Sequence, residues 1–499
     1  MLTRRSAMAG LAGAAALRGA GGTRPNFVFI LADDHAGYVL GCDGNRQAET
    51  PNLDRLASES VRFARHHCNS PMCTPSRQAI FTGQLPHMSG VTLLKTALAE
   101  DKPTLARQLK KAGYTTAVFG KMHFNRPGHP GMFGFDTCMT EDVVAHTWNH
   151  LKPDRTVPAD IKTKPAWHPF KDPARIWLNA DKLPYPRYYD DMKGTFIARH
   201  AEQYLEERKR DGQPFGLWVS FMEPHSPYDF PVEDRARFDP ADFPPPKIGP
   251  NDAAQIPEVF ENLTDKDKRG IIAAYYTSVR FMDHNVGVVL KKLAELGLDR
   301  NTFLIYSADH GYSLGQHSRF EKHIGYDPAL RVPLMMRWPG RIRPGVVHDF
   351  TEHVDVPATI MDMLETEPLP IQHGQSLRPY LEGRAMAHRR DHIFSEYMET
   401  EQAYIRTERY KYIYCSGKRL DWYRPAKPPV GRWRRLYDLK EDPQEFYDIS
   451  AREPKLVERF EAMLLDRFRR THPDAANEPK GFSAEDALDF YVRPRDAGA

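Results

Sequence analysis

Four short apolar runs, each ending in acidic or basic side chains, restrict the architecture of this chain more than any other feature. Asn26–Ala32 reads NFVFILA, Thr115–Phe119 reads TTAVF, Phe215–Phe221 reads FGLWVSF and Thr302–Ser307 reads TFLIYS, with Pro333–Trp338 a further candidate. Runs this short, with no polar alternation, suit strands buried on both faces, the mark of parallel sheets. Helical patterns lie between them. Leu105, Leu109 and Ala112 share one face and meet Gly113 as a stop. Val279, Met282, Val286, Val289, Leu290, Leu293 and Leu296 repeat at helical spacing up to Gly297. Strands alternating with helices predict the α/β class: a large mixed, mainly parallel sheet flanked by helices. Beyond about Gly374 the pattern changes. Ile393–Tyr397 and Ala403–Tyr414 read as antiparallel strands that end near Arg435–Leu439. Leu456, Phe460, Met463, Leu464 and Phe468 then mark an amphipathic helix, so a small C-terminal subdomain of antiparallel sheet and helix is expected. The stretch from Glu141 to Asn262, rich in Pro and aromatics, reads as long loops and insertions over one edge of the sheet.

Composition excludes several classes. A net charge of +3 over 499 residues gives no case for nucleic-acid binding, though a local basic pocket for an anion is compatible with it. Five cysteines are too few for a disulfide framework. Cys42, Cys68, Cys138 and Cys415 lack metal-type spacing and read as buried thiols, or as at most one disulfide. Thr3-Arg4-Arg5-Ser6, the small apolar run Ala7–Leu17 and Arg18–Gly22 resemble a twin-arginine export signal over residues 1–23. The alternative is a disordered basic N-terminus. The apolar run is well short of the ~20 residues of a membrane span. The expectation is therefore a periplasmic or secreted protein with no membrane span.

Ligands of open α/β sheets bind at the carboxyl ends of the strands. Asp33-Asp34 follow the first run, Lys121 and His123 the second, His225 the third and Asp309-His310 the fourth. Asp33, Asp34 and Asp309 can together hold a hard divalent cation through oxygen ligands. A lone Asp-Asp pair would instead read as a turn or helix cap. Cys73 precedes Pro75, which suits the first turn of a helix, and a helix N-terminus favours an anion. Arg77 lies one turn further on. Lys121 supplies fixed positive charge, and His123 can move a proton near neutral pH. In isolation, Lys121-Met122-His123 would be a solvated loop and His225, in Glu223-Pro224-His225-Ser226-Pro227, a structural histidine. Lys322 is the weakest candidate, since most lysines face water. A Cys-His thiol nucleophile lacks a partner motif.

Cys73-Thr74-Pro75-Ser76-Arg77, continuing to Thr82-Gly83, resembles the signature of the formylglycine-dependent sulfatases of the alkaline phosphatase superfamily. Arg24–Asp34, Thr50–Ala57, Gly113–His123, Ser307–His317, Tyr410-Lys411-Tyr412 and Leu436–Pro443 are similar to further family segments. The resemblance runs from Arg24 to the C-terminal helix. It implies an alkaline-phosphatase-like catalytic domain over 24–373 and a C-terminal subdomain over 374–499. It implies that Cys73 is oxidised to formylglycine by a formylglycine-generating enzyme. The hydrate then attacks sulfur, and sulfate leaves by elimination. Asp33, Asp34, modified Cys73, Asp309 and His310 would bind Ca2+, with Mn2+ or another divalent cation as the alternative. Arg77 and Lys121 would anchor the modified residue, and His123 would be the base that restores the aldehyde. His225 and Lys322 would hold the sulfate and assist the leaving alcohol. His310 stands where many members have Asn, as in the iduronate-2-sulfatase-like branch, and Met122 replaces a common Trp. The implied substrate is a sulfated carbohydrate. Phosphonate or phosphate ester hydrolases of the same superfamily also use Asp-His and form the rival activity. A non-catalytic binding protein on this fold is a third reading.

Overall fold

The computed structural model describes residues 24–165, 174–419, 425 and 428–496, so the export-signal reading of residues 1–23 lies outside the described residues. Eight strands form the main sheet: β1 (Asn26–Ala32), β2 (Val61–Phe63), β3 (Thr115–Gly120), β4 (Thr137–Met139), β5 (Phe215–Ser220), β6 (Thr302–Ala308), β7 (Leu334–Arg337) and β8 (Gly345–Val347). Their spatial order is β4-β3-β5-β1-β6-β7-β2-β8. All neighbours are parallel except β7, which runs against both β6 and β2.

The four apolar runs are the four adjacent central strands. Alternate side chains of β1 enter different cores. Val28, Ile30 and Ala32 pack with Leu217, Val219, Leu304 and Tyr306. Phe27, Phe29 and Leu31 pack with Trp218, Phe303 and Ile305. Both faces are covered, so the sequence shows no period of two. The sequence predicts Pro333–Trp338 as another buried parallel strand; the strand is there, but β7 is antiparallel. The loop 309–333 returns to the sheet at the edge it left, pairing Ser307 with Leu334, and no helix crosses to the far edge.

A 31-residue helix, Asp265–Glu295, covers one face. It begins well before the apolar repeat, at a capping box of Thr264 and Asp267, and ends before Gly297 in the left-handed region (φ 63°). The stretch 141–262 holds more order than loops alone: Lys193–Asp211 is a helix whose Ile197, Ala198, Ala201, Tyr204 and Leu205 are buried.

His392–Tyr397 (β9), Gln402–Thr407 (β10), Tyr410–Cys415 (β11) and Trp433–Asp438 (β12) form the antiparallel C-terminal sheet in chain order. The stretch Ala403–Tyr414, expected as antiparallel strand structure, is a hairpin of β10 and β11. Phe394, Ile405, Tyr412 and Leu436 pack with Phe460, Leu464 and Phe468 of helix Pro454–Thr471. All five cysteines are free thiols. No helix among the described residues is long and apolar enough to cross a membrane.

Candidate active site

The carboxyl ends of β1, β3, β5 and β6 converge with the start of helix Cys73–Thr82, every residue of which is buried. Cys73 is the first helical residue after the extended Met72, so its side chain lies where unpaired helix amides favour negative charge. Its Sγ is 3.1 Å from Lys322 Nζ, 3.2 Å from His310 Nε2 and 3.6 Å from Asp33 Oδ1. One turn on, Arg77 Nε donates to Asp309 Oδ2 at 2.7 Å. Its Nη1 donates to Ser220 Oγ at 2.9 Å and to the Lys121 carbonyl.

Asp33 and Asp34 follow β1, with Asp34 in the left-handed region at φ 64°. Asp33 pairs with Lys121 Nζ, and Asp34 Oδ1 with Lys322 Nζ at 2.7 Å. The Asp34 amide donates to Asp309 Oδ1 at 3.1 Å, tying the ends of β1 and β6 together. Asp309 is also held by its carbonyl, which accepts from Ser76 Oγ and from His353 Nε2.

Ligand atoms of Asp33, Cys73, Asp309 and His310 lie within 4.8 Å of one another, as do those of Asp33, Asp34, Cys73 and His225. The donors fit a divalent cation. Asp34 Oδ2 is buried and has no hydrogen-bond partner, as a metal-facing oxygen would. His310 Nδ1 is 3.0 Å from the Gly311 carbonyl, which turns Nε2 toward the cluster.

Lys121 and His123 follow β3 as the sequence placed them. Glu141 positions this loop, accepting from the amides of Met122 and His123, both at 2.9 Å. His123 sits at φ 57° with Nδ1 unpartnered. His225, half-buried, directs Nδ1 to the Ser226 carbonyl at 2.6 Å. All six catalytic candidates and all five metal candidates are therefore brought together. Lys322, the weakest on sequence, sits against both Asp34 and Cys73. Ser220, Glu141 and His353 were missed. Ser220 had a signal, a hydroxyl closing an apolar run; the other two had none.

Electrostatics follow the geometry. Burial opposes ionisation of Cys73, but Lys121, Lys322 and His310 carry its thiol well below the ordinary range. Burial also opposes charge on Lys322, yet Asp34 and Cys73 raise it above its usual value. Burial lowers His123, keeping it neutral. His310 is pushed up to about 9: burial works against this, and Asp309 and Cys73 prevail. Cation binding at this cluster would release that proton.

The centre opens into a cavity of about 370 Å³ whose walls include Trp148, Trp177, Tyr185, Glu223, Asp229 and Tyr312.

Comparison with known proteins identifies the family. The family model described as Sulfatase matches residues 25–366, and that described as N-sulphoglucosamine sulphohydrolase, C-terminal, matches 315–471. An arylsulfatase of Clostridium perfringens is 28% identical, over 85% of this chain and 90% of its own. An N-acetylglucosamine-6-O-sulfatase of Bacteroides thetaiotaomicron is 27% identical, over 91% and 88%. A solved structure in complex with D-glucosamine-2-N,6-O-disulfate superposes with TM-score 0.70 at 22% identity, covering 92% of this chain and all of the other. A phosphonate monoester hydrolase of Agrobacterium radiobacter superposes with TM-score 0.74 at 24% identity, covering 90% and 96%, a likeness of fold. With its mixed, mainly parallel sheet of alkaline-phosphatase type and the family match across most of its length, the chain belongs to the sulfatase family of sulfuric ester hydrolases.

Proposed function

We propose that this protein removes sulfate from a sulfated carbohydrate, using an oxidised Cys73 as nucleophile and a bound divalent cation, outside the cytoplasm. The observation that carries this reading is the setting of residue 73. It lies at a buried helix start, 3.1 Å from an ammonium and within the carboxylate–histidine cluster.

Conversion of Cys73 to formylglycine by a generating enzyme would supply, on hydration, a geminal diol, a nucleophile that no encoded side chain carries. A divalent cation held by Asp33, Asp34, Asp309 and His310 would lower the cost of negative charge on that oxygen. Three hard carboxylates favour Ca2+, while the imidazole also admits Mn2+. The remaining work falls to this chain's own groups. Asp33, Asp34 and Asp309 are balanced by Arg77, Lys121 and Lys322, so a divalent cation leaves a surplus of two positive charges. A sulfate monoester and an anionic nucleophile together bring two negative ones. Lys322 is placed to meet charge on the sulfuryl oxygens. His123, neutral because burial lowers it, can accept a proton from residue 73. His225, oriented by the contact of its Nδ1 with the Ser226 carbonyl, lines the same cavity as Cys73 and is placed to assist the departing alcohol. Aromatic walls at Trp148, Tyr185 and Tyr312 suit the apolar faces of a sugar ring. The similarity to an N-acetylglucosamine-6-O-sulfatase supports the same substrate class. The twin-arginine pattern of residues 1–23 supports a periplasmic or secreted location.

The test is the mass of the peptide carrying residue 73, from protein made in its native host. A peptide lighter by the change of CH2SH to CHO, with Cys73→Ala devoid of sulfate release, is the expected result. An unmodified thiol in active protein would sink this mechanism. Relative rates on sulfate and phosphonate monoesters decide against the rival activity, which Asp309-His310 keeps open.

A further inference from the structure

A second groove, of about 90 Å³, lies between the segment 323–326 and the C-terminal sheet. Arg319, Tyr326, Arg419, Trp433 and Arg435 line it, and so does His323, which also lines the cavity that holds Cys73. The two spaces therefore share a wall. The chain joins them directly: Lys322 Nζ lies at Cys73, while the Tyr326 hydroxyl, four residues on, is 2.9 Å from Arg435 Nη1. With His323 common to both linings and the backbones of Lys322 and Tyr326 at most about 13 Å apart, the groove adjoins the cavity of the reacting centre.

Charge defines what the groove can take. Among the described residues, none of its lining residues is acidic. Arg319 is paired with Glu321, but Arg419 and Arg435 form no direct ion pair among the described residues, and Arg435 meets the charge of Asp448 only at a distance. Arg435 is held in place without being neutralised. Its Nη1 donates to Gln255 Oε1 and to Tyr326, and its guanidinium sits 4.7 Å from the centroid of Trp433. Among the described residues, Arg419 donates from Nε alone, to the Glu399 carbonyl at 3.3 Å. Both side chains are half-buried rather than extended into water. Two oriented guanidinium groups with spare donors, beside an indole, make a receptor for a planar or tetrahedral oxyanion on an apolar frame.

We propose that this groove binds a second anionic group, sulfate or carboxylate, of an extended saccharide whose reacting sulfate ester lies at residue 73. The proposal rests on the sulfatase reading and makes the C-terminal sheet part of the substrate site. A substrate with one negative group would use the Cys73 cavity alone; one with a second anion further along the chain would use both.

The experiment compares two probes, para-nitrophenyl sulfate and a size-fractionated pool of polysulfated tetrasaccharides. Arg419→Gln and Arg435→Gln are each expected to keep kcat/KM for para-nitrophenyl sulfate within about twofold of the parent. Binding of the tetrasaccharide pool, measured by calorimetry in the Cys73→Ala background, is expected to weaken about tenfold for each substitution, with a shallower salt dependence. Unchanged pool binding in both variants, or no pool binding by Cys73→Ala itself, overturns the proposal. Should Arg435→Gln lower the melting temperature, Arg435→Lys and Arg419→Gln carry the test, since the first keeps charge but not the fork. If the parent fails to cleave para-nitrophenyl sulfate, the catalytic reading falls, while the binding experiment still decides the groove.

Discussion

At the scale of single residues, Arg77 shows how tightly this centre is specified. One guanidinium meets Asp309, Ser220 and the Lys121 carbonyl, with Nη2 also 3.7 Å from Asp33, and all of it is buried. An ammonium could reach one of these partners but not the set. Arg77→Met strands buried carboxylates without their cation and is expected to cost about 3–5 kcal/mol in chelator-treated protein. A divalent cation should then restore more melting temperature to the variant than to the parent, because it replaces the missing charge. Denaturant unfolding with and without chelator checks both statements, and an equally stable Arg77→Met refutes them. The residues that could be read from sequence, such as Asp33, Cys73 and Asp309, either end an apolar run or belong to a specific motif. Glu141 could not be, because it acts on the backbone amides of Met122 and His123, and no side-chain pattern announces that.

At the scale of elements, the end of β3 is fixed by one glycine. Gly120 has φ 106°, and a Cβ there would lie 1.8 Å from the Ser220 carbonyl oxygen, the oxygen that accepts the Lys121 amide at 2.9 Å. Gly120→Ala must therefore displace β5 or the Lys121 loop, with a backbone penalty of about 1–3 kcal/mol before any packing loss. A lowered melting temperature together with reduced sulfate-ester turnover is expected; a variant matching the parent in both would show that the strand end yields. The central strands were legible because burial on both faces leaves an unbroken apolar word. The direction of β7 was not, since a four-residue strand reads the same either way and only the connecting loop decides. Helix Lys193–Asp211 has its signal in the spacing of Ile197, Ala201, Tyr204 and Leu205, but it is flanked by proline-rich segments whose composition is that of loops.

At the scale of the whole molecule, the C-terminal sheet is bound to the catalytic sheet's surroundings through buried charge. Glu352 is fully buried and accepts from the Phe394 amide at 2.8 Å and from Arg467 Nη2 at 3.0 Å, with Arg390 Nη1 at 3.3 Å. Burial would raise its carboxyl, yet Arg390 and Arg467 bring it down to about 2. A carboxyl depressed in the folded state contributes stability above its unfolded value of 4.5 and loses it as pH falls toward 2. That contribution is on the order of 3 kcal/mol. Glu352→Gln should be the less stable protein at neutral pH, and its melting curve should converge on the parent's between pH 4.5 and 2. Parallel curves across that window would refute the assignment.

The burial of Cys73 also has a consequence in time. A side chain 2% exposed, at the start of a helix among four strand ends and reached only through the cavity, admits a small ester group but not the extended peptide that another enzyme would have to grasp once the chain has folded. Its segment joins residues distant in sequence, such as Asp33 and Asp309, so the site closes only when much of the sheet has assembled. Under the proposed oxidation of Cys73, maturation is a race between oxidation and folding, run once per molecule, and a chain that folds first keeps its thiol.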